Sequence, residues 1–217
     1  MRTFVSLALG LAAALATAAP RHTIRFGPTM PVELFVGPTE SKSQKIEVRA
    51  LYVDSKLREF TTGEPHDVSD HAFVIRKTKR VSEPEPENPK AVPFWRWQRA
   101  GWLLVDRSTG RVSELKLPEF EPYYSAASWY RDFVAYCGVS DDGERLYAVV
   151  TQIGSKKPLV RKELGAAQQK EEPESQCPPP KWQADSMQVA FEPVASPATT
   201  FHVHSEYAES DHKSTQP

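Results

Sequence analysis

His66, Asp67, Asp70 and His71 fall within six positions, in the stretch PHDVSDH that runs from Pro65 to His71. Imidazoles and carboxylates of this kind suit hard or borderline divalent ions, and a bound ion would acidify a water for hydrolysis. Spacing works against convergence. Sequence neighbours on a strand point to opposite faces, so His66 with Asp67, or Asp70 with His71, meet only where the backbone turns. Gly63, Pro65 and the Ser69-Asp70 pair supply turn chemistry, which gives the competing reading of a polar turn between two strands. Asp70 precedes Ala72-Phe73-Val74-Ile75 much as Asp132 precedes Phe133-Val134-Ala135-Tyr136, and this parallel favours the turn.

Two further groups carry chemistry. His202, His204 and Glu206 alternate along one face of a final strand, a spacing that zinc accepts, with His212 further along the chain. A polar edge strand that discourages strand addition by a neighbour explains the same residues, and is preferred. The second group is aromatic: Trp95 and Trp97 share a face in FWRWQRAGWLLVD, and Tyr123, Tyr124, Trp129 and Tyr130 follow in PYYSAASWYRDFVAY. Exposed, these rings would form a platform for sugar rings or peptide side chains; buried, they are core. A nucleophile elbow, a Ser-x-x-Lys motif, a phosphate-cradling glycine loop and a paired-carboxylate motif are not legible. Asp132 beside Arg131 reads as a solvated pair.

Such groups need a scaffold, and the chain describes one. Arg2, the apolar run Phe4 to Leu15 and the small residues Ala16-Thr17-Ala18 read as a signal peptide over 1–18, with a mature chain starting at Ala19. The apolar run is too short to span a bilayer, no later stretch is long enough, and no cysteine follows for a lipid anchor, so a periplasmic or extracellular protein is expected. Its 27 basic and 28 acidic residues give a net charge of −1 with mixed signs, which sets nucleic acid aside as a partner. Cys137 and Cys177 are the two cysteines, and in an oxidising compartment they are expected to form a disulfide.

Nineteen prolines and repeated short runs of β-branched and aromatic residues predict an all-β domain over 19–207, an antiparallel meander that is propeller-like or a two-sheet sandwich. Strands are expected at Ile46–Val53, Phe73–Val81, Trp102–Asp106, Val112–Leu117, Trp129–Cys137, Arg145–Gln152 and Leu159–Leu164. Turns are expected at Arg99-Ala100-Gly101, Ser108-Thr109-Gly110, Asp141-Asp142-Gly143 and Gly154-Ser155. Residues 83–93 (EPEPENPKAVP) and 165–181 (GAAQQKEEPESQCPPPK) read as proline-rich loops, and 208–217 as a polar, frayed tail.

Within residues 104–150, LVDRSTGRVSEL followed by SWYRDFVAYCGVSDDGERLYAVV resembles the repeat of TolB-type β-propellers. In such blades a Val-Asp strand with a Thr-Gly turn precedes a Trp strand and an Asp-Gly turn; Trp129 and Asp142-Gly143 fall in that order here. The resemblance implies blades of antiparallel strands. The function expected is that of an exported, noncatalytic β domain binding a protein, peptide or glycan partner through loops and aromatic faces (Trp95, Trp97, Tyr123, Tyr124, Trp129). No cofactor is required by that reading. The alternative is a metal-dependent hydrolase holding a divalent ion on His66, Asp67, Asp70 and His71.

Overall fold

The computed structural model describes residues 22–35, 43–83, 94–122, 125–167, 177–194 and 196–204. The expected signal segment, most of both proline-rich loops, Tyr123, Tyr124, Glu206, His212 and the tail lie outside the described residues. The chain is all-β, with strands in three sheets, antiparallel but for one contact, and a single 3-10 turn at Ala184–Ser186 among the described residues. None of the described helices is long and apolar enough to cross a membrane.

The first sheet contains β1 (Ile24–Phe26), β2 (Met30–Phe35), β3 (Ser43–Val53), β4 (Lys56–Ser69), β5 (Ala72–Glu83), β6 (Phe94–Asp106) and β7 (Val112–Leu115). From β2 to β6 each strand pairs antiparallel with the next. Five strands that alternate in direction leave the first and last pointing the same way. The ring therefore closes through a parallel contact, Leu34 opposite Trp97. β3 is long enough to serve two partners on one edge, β2 along its first half and β1 along Leu51 to Val53, while its other edge carries β4. One core forms here from Leu51, Phe73, Ile75, Leu103 and Val105, with Ile24, Phe26 and Val112 packed against them.

β8 (Ser128–Tyr130), β9 (Phe133–Val139), β10 (Arg145–Gln152) and β11 (Val160–Ala166) form the second sheet, and β12 (Lys181–Gln183), β13 (Gln188–Phe191) and β14 (Thr199–His202) the third. FVAYCGV and LYAVV read as unbroken apolar runs because β9 and β10 are covered on both faces. Phe133, Ala135, Cys137, Leu146, Ala148 and Val150 meet Val189, Phe191 and Val203 of the third sheet region. Val134, Tyr136, Tyr147 and Val149 face Leu117, Phe120 and Ala127 of the connection from the first sheet and Trp129 of β8. Burying a side chain such as Phe191 or Val149 contributes about 1.5 to 3 kcal/mol, so each layer is stitched by several such terms. The Cys137–Cys177 disulfide joins β9 to the start of the third sheet region, with Cα atoms 6.2 Å apart.

Several expected elements shift. β10 covers the expected Arg145–Gln152. The expected strand Trp129–Cys137 is instead a hairpin, β8 and β9 joined at Arg131-Asp132, where Arg131 takes a positive φ of 51°. Arg99-Ala100-Gly101 is not a turn. β6 passes through it with a register shift against β5. The two parts of the propeller-like stretch fall in different sheets, LVDRSTGRVSEL in the β6–β7 hairpin and SWYRDFVAYCGVSDDGERLYAVV in β8 to β10.

Candidate functional site

His66 lies on β4 opposite Val74 of β5, and its Nε2 is 2.8 Å from the Arg131 carbonyl oxygen, to which the ring donates. The imidazole stacks on Trp129 with centroids 5.9 Å apart. Asp67, one residue on, instead accepts from Arg107 Nη2 at 2.6 Å. Asp70 and His71 form the exposed β4–β5 turn, where Ser69 Oγ accepts from the His71 amide at 3.3 Å. PHDVSDH thus spans a strand end and its turn, as Asp132 lies in the β8–β9 turn. Among the described residues there is no group of three or more His, Cys, Asp or Glu placed to hold a metal ion. His202 ends β14 and His204 follows it, both exposed.

The expected aromatic platform is distributed. Trp95 is 49 % exposed, with the Arg80 guanidinium 4.8 Å from its ring centroid. Trp97 packs edge-on against Phe60 at 5.2 Å. Trp129 is wedged between His66 and Trp102, at 5.1 Å from the latter, and its Nε1 is sealed from solvent.

A recess that none of these motifs announced lies beside that wedge. Thr62, Arg76 and Trp102 stand opposite one another across β4, β5 and β6, so their side chains share one face. Both flanking strands are bulged at this level. Between Thr62 and His66 β4 spends more residues than β5, with Gly63 at a φ of +71°. Between Trp102 and Arg99 β6 spends an extra residue against Arg76 and Thr78. Bulges bend a strand and re-aim its side chains, and here the second one brings Arg99 beside Trp102. The result is a cavity of about 310 Å³ lined by Thr62, Gly63, Glu64, Arg76, Arg99, Trp102, Ser125 and Ala126. A second, of about 320 Å³, adjoins it at Thr62, Gly63 and Glu64 and extends along β3 past Arg49 and Glu47.

Arg76 is the centre of the charge. Its alternation with buried Val74 and Thr78 points it inward, against the usual place of an arginine. Phe120 and Trp102 flank the guanidinium, with centroids 4.8 and 5.6 Å away, and Nη2 donates to the Pro122 carbonyl at 2.8 Å. Burial, and then the nearby charge of Arg99, bring its pKa down to about 10, with Glu121 opposing. Burial also lowers that of Arg99, whose Nη2 donates to Gln44 at 3.1 Å. Two buried donors, Arg76 Nε and Trp102 Nε1, have no acceptor among the described residues. Glu64 is bound to Arg49 Nη2 at 3.0 Å.

The roof is held from the other side. Ser125 Oγ donates to the Cys137 carbonyl at 2.6 Å and accepts from the Glu121 amide at 3.1 Å. Sequence reasoning passed over Arg76 because it lies in RKTKR, which reads as a solvated charge run; the available signal was its phase with Val74. Comparison of the chain with protein-family models, with curated proteins and with solved structures gives no match.

Proposed function

We propose that the mature chain is an exported, noncatalytic binding domain that takes a peptide segment or glycan chain of its partner into the two adjoining recesses beside Thr62-Gly63-Glu64. The carrying observation is their joint geometry. The two recesses share Thr62, Gly63 and Glu64 and between them are lined from β3 to β6, with Arg49, Arg76, Arg99 and Trp102 in their lining. Ligand sites combine such aromatic surface with a few placed polar groups. In the inner recess the ionisable groups support holding rather than proton transfer, since guanidinium stays protonated at neutral pH and Glu64 is engaged with Arg49. Export is supported by the signal-like start of the sequence and by the disulfide.

The test is amide and indole NMR of the isotopically labelled mature protein against a panel of peptides and oligosaccharides. Shifts gathering at Thr62 to Glu64, Trp102 and Ser125 to Ala126 are expected. Saturable shifts confined to other surfaces, or none at all, would remove the reading.

A further inference from the structure

We propose that β3 takes an extended peptide segment of the partner as an added strand along its open edge at Lys45 to Glu47, with a basic residue of that segment opposite Glu47 and an acidic one opposite Lys45. This rests on the groove being the binding site and names the peptide it selects. β3 has β2 on one edge from Ser43 to Val48, whereas β4 covers the other edge only from Val48 onward. β4 leaves at Thr62, because Gly63, Glu64 and Pro65 stand against Ile75 alone and bulge out, with Gly63 at a φ of +71°. The outer recess lies in the corner so formed, between Ile46, Glu47 and Arg49 on β3 and Thr62, Gly63 and Glu64 on β4.

Which backbone groups face that corner follows from the bonds around it. The Glu47 carbonyl accepts from Thr62 Oγ1 at 2.7 Å and the Arg49 carbonyl from Thr61 Oγ1 at 3.1 Å, both on the β4 side. The Ala50 carbonyl accepts from the Gly27 amide at 2.8 Å on the opposite side. Strand alternation then turns the amides of Lys45 and Glu47, and the Lys45 carbonyl, toward the open edge. Among the described residues nothing pairs with these three groups. A peptide running antiparallel to β3, in the line that β4 vacates, satisfies all three, as in strand addition to an exposed sheet edge.

Charge sets the choice of peptide. Lys45 and Glu47 are exposed and share a strand face, with half-buried Ile46 between them on the other. Charged side chains on an open edge bar indiscriminate pairing. On β2, Glu33 lies opposite Lys45 but Pro31 lies opposite Glu47, so β2 gives Glu47 no cation, and Arg49 is engaged with Glu64. Opposite charges directly across a strand pair stabilise it, and like charges oppose it. The segment therefore reads Lys or Arg, then a β-branched apolar residue over Ile46, then Asp or Glu.

In the unbound, labelled mature protein the amides of Lys45 and Glu47 should exchange freely with solvent while those of Ile46 and Val48 are protected. Protection of Lys45 and Glu47 without added peptide would mean a filled edge and overturn the proposal. The probe is acetyl-Lys-Val-Glu-Val-Thr-amide, compared with its charge-swapped form acetyl-Glu-Val-Lys-Val-Thr-amide and with forms N-methylated at the glutamate or at the first valine. Titrated to millimolar concentration, the probe should shift the Lys45 and Glu47 amides saturably and slow their exchange. The charge-swapped form should bind at least about threefold more weakly. Methylation at the glutamate removes the amide that pairs with the Lys45 carbonyl and should weaken binding at least about fivefold, whereas the valine amide points away from β3 and its methylation should leave binding within about twofold. Lys45→Pro removes an edge amide without touching the β2 ladder and should abolish binding. The double change Lys45→Glu with Glu47→Lys should reverse the preference between the two charge forms, and it carries the test if the proline variant does not fold. Binding indifferent to methylation at the glutamate would sink strand addition, and equal binding of the two charge forms would overturn the charge rule. No response at Lys45 and Glu47 to any probe would also overturn strand addition, and the peptide and oligosaccharide panel, followed at Trp102 and Ser125, then decides the groove separately.

Discussion

Ser125→Ala is the substitution whose effect follows most directly from the architecture. Ser125 is 2 % exposed, and its single oxygen closes two hydrogen bonds, to the Cys137 carbonyl at 2.6 Å and from the Glu121 amide at 3.1 Å. Alanine leaves both partners facing a methyl group in place of the hydroxyl. Each buried polar group left without a partner costs about 1 to 3 kcal/mol, so the pair should cost roughly 2 to 4 kcal/mol with partial relaxation. For a chain of this size each kcal/mol moves the melting temperature by about 2 to 4 °C, which gives a fall of roughly 4 to 16 °C. Calorimetry of the mature protein measures it, with Ser108→Ala as the control. Ser108 is exposed, and its backbone amide, not its hydroxyl, makes the turn bond to Asp106, so a change within about 0.5 kcal/mol is expected there. Identical melting of the two variants would show that the roof of the recess is not pinned through Ser125.

Tyr136→Phe keeps the edge-on contact with Phe120 at 5.1 Å but strands the Pro118 carbonyl that the hydroxyl reaches at 2.6 Å, so a loss of about 1 to 2 kcal/mol in denaturant unfolding is expected. Burial pushes the Tyr136 phenol upward, so in an alkaline absorbance titration it should ionise only as the fold is lost. Removing the 40-residue crosslink by the double change Cys137→Ser with Cys177→Ser should cost about 4 kcal/mol on loop entropy, read as a lower unfolding midpoint; an unchanged midpoint would contradict it. Asp54, Asp106 and Asp142 are held below their ordinary 3.8, chiefly by bonds from His22, from the Thr109 amide and from the Ser140 hydroxyl respectively. Because the folded values are depressed, the unfolded chain takes up these protons first. The stabilisation is complete above about pH 4 to 5 and is lost as pH falls through the folded values, so melting temperature should drop in acid, less steeply in Asp142→Asn. Treatment with EDTA should leave the melting temperature unchanged; a near-stoichiometric ion lost on His66→Ala would restore the hydrolase alternative.

How much of this was legible depends on what each strand is held by. β10 follows from its own residues, apolar from Leu146 to Val150 and bounded by Asp141-Asp142-Gly143 and Gly154-Ser155. The turn reading of Asp70 needed no more than a carboxylate before an apolar run. β4 has no such signature: KLREFTTGEPHDVS lacks alternation and contains Gly63 and Pro65, and it is a strand because β3 and β5 pair with it on both sides around a bulge. The β8–β9 turn was hidden for the opposite reason, since an arginine at positive φ carries no local signal. The recess was illegible as a site because its walls come from β4, β5, β6 and the 125–126 segment, and because Ala100-Gly101 reads equally well as turn or bulge.

The odd strand count of the ring has an effect on the order of assembly. During synthesis β2 can find β3 at once, but its remaining edge must wait until β4, β5 and β6 have followed, because only a strand running its own way fits there. Among the described residues that seam is a single bridge between Leu34 and Trp97. It is the last joint to form and the first place where the ring would breathe.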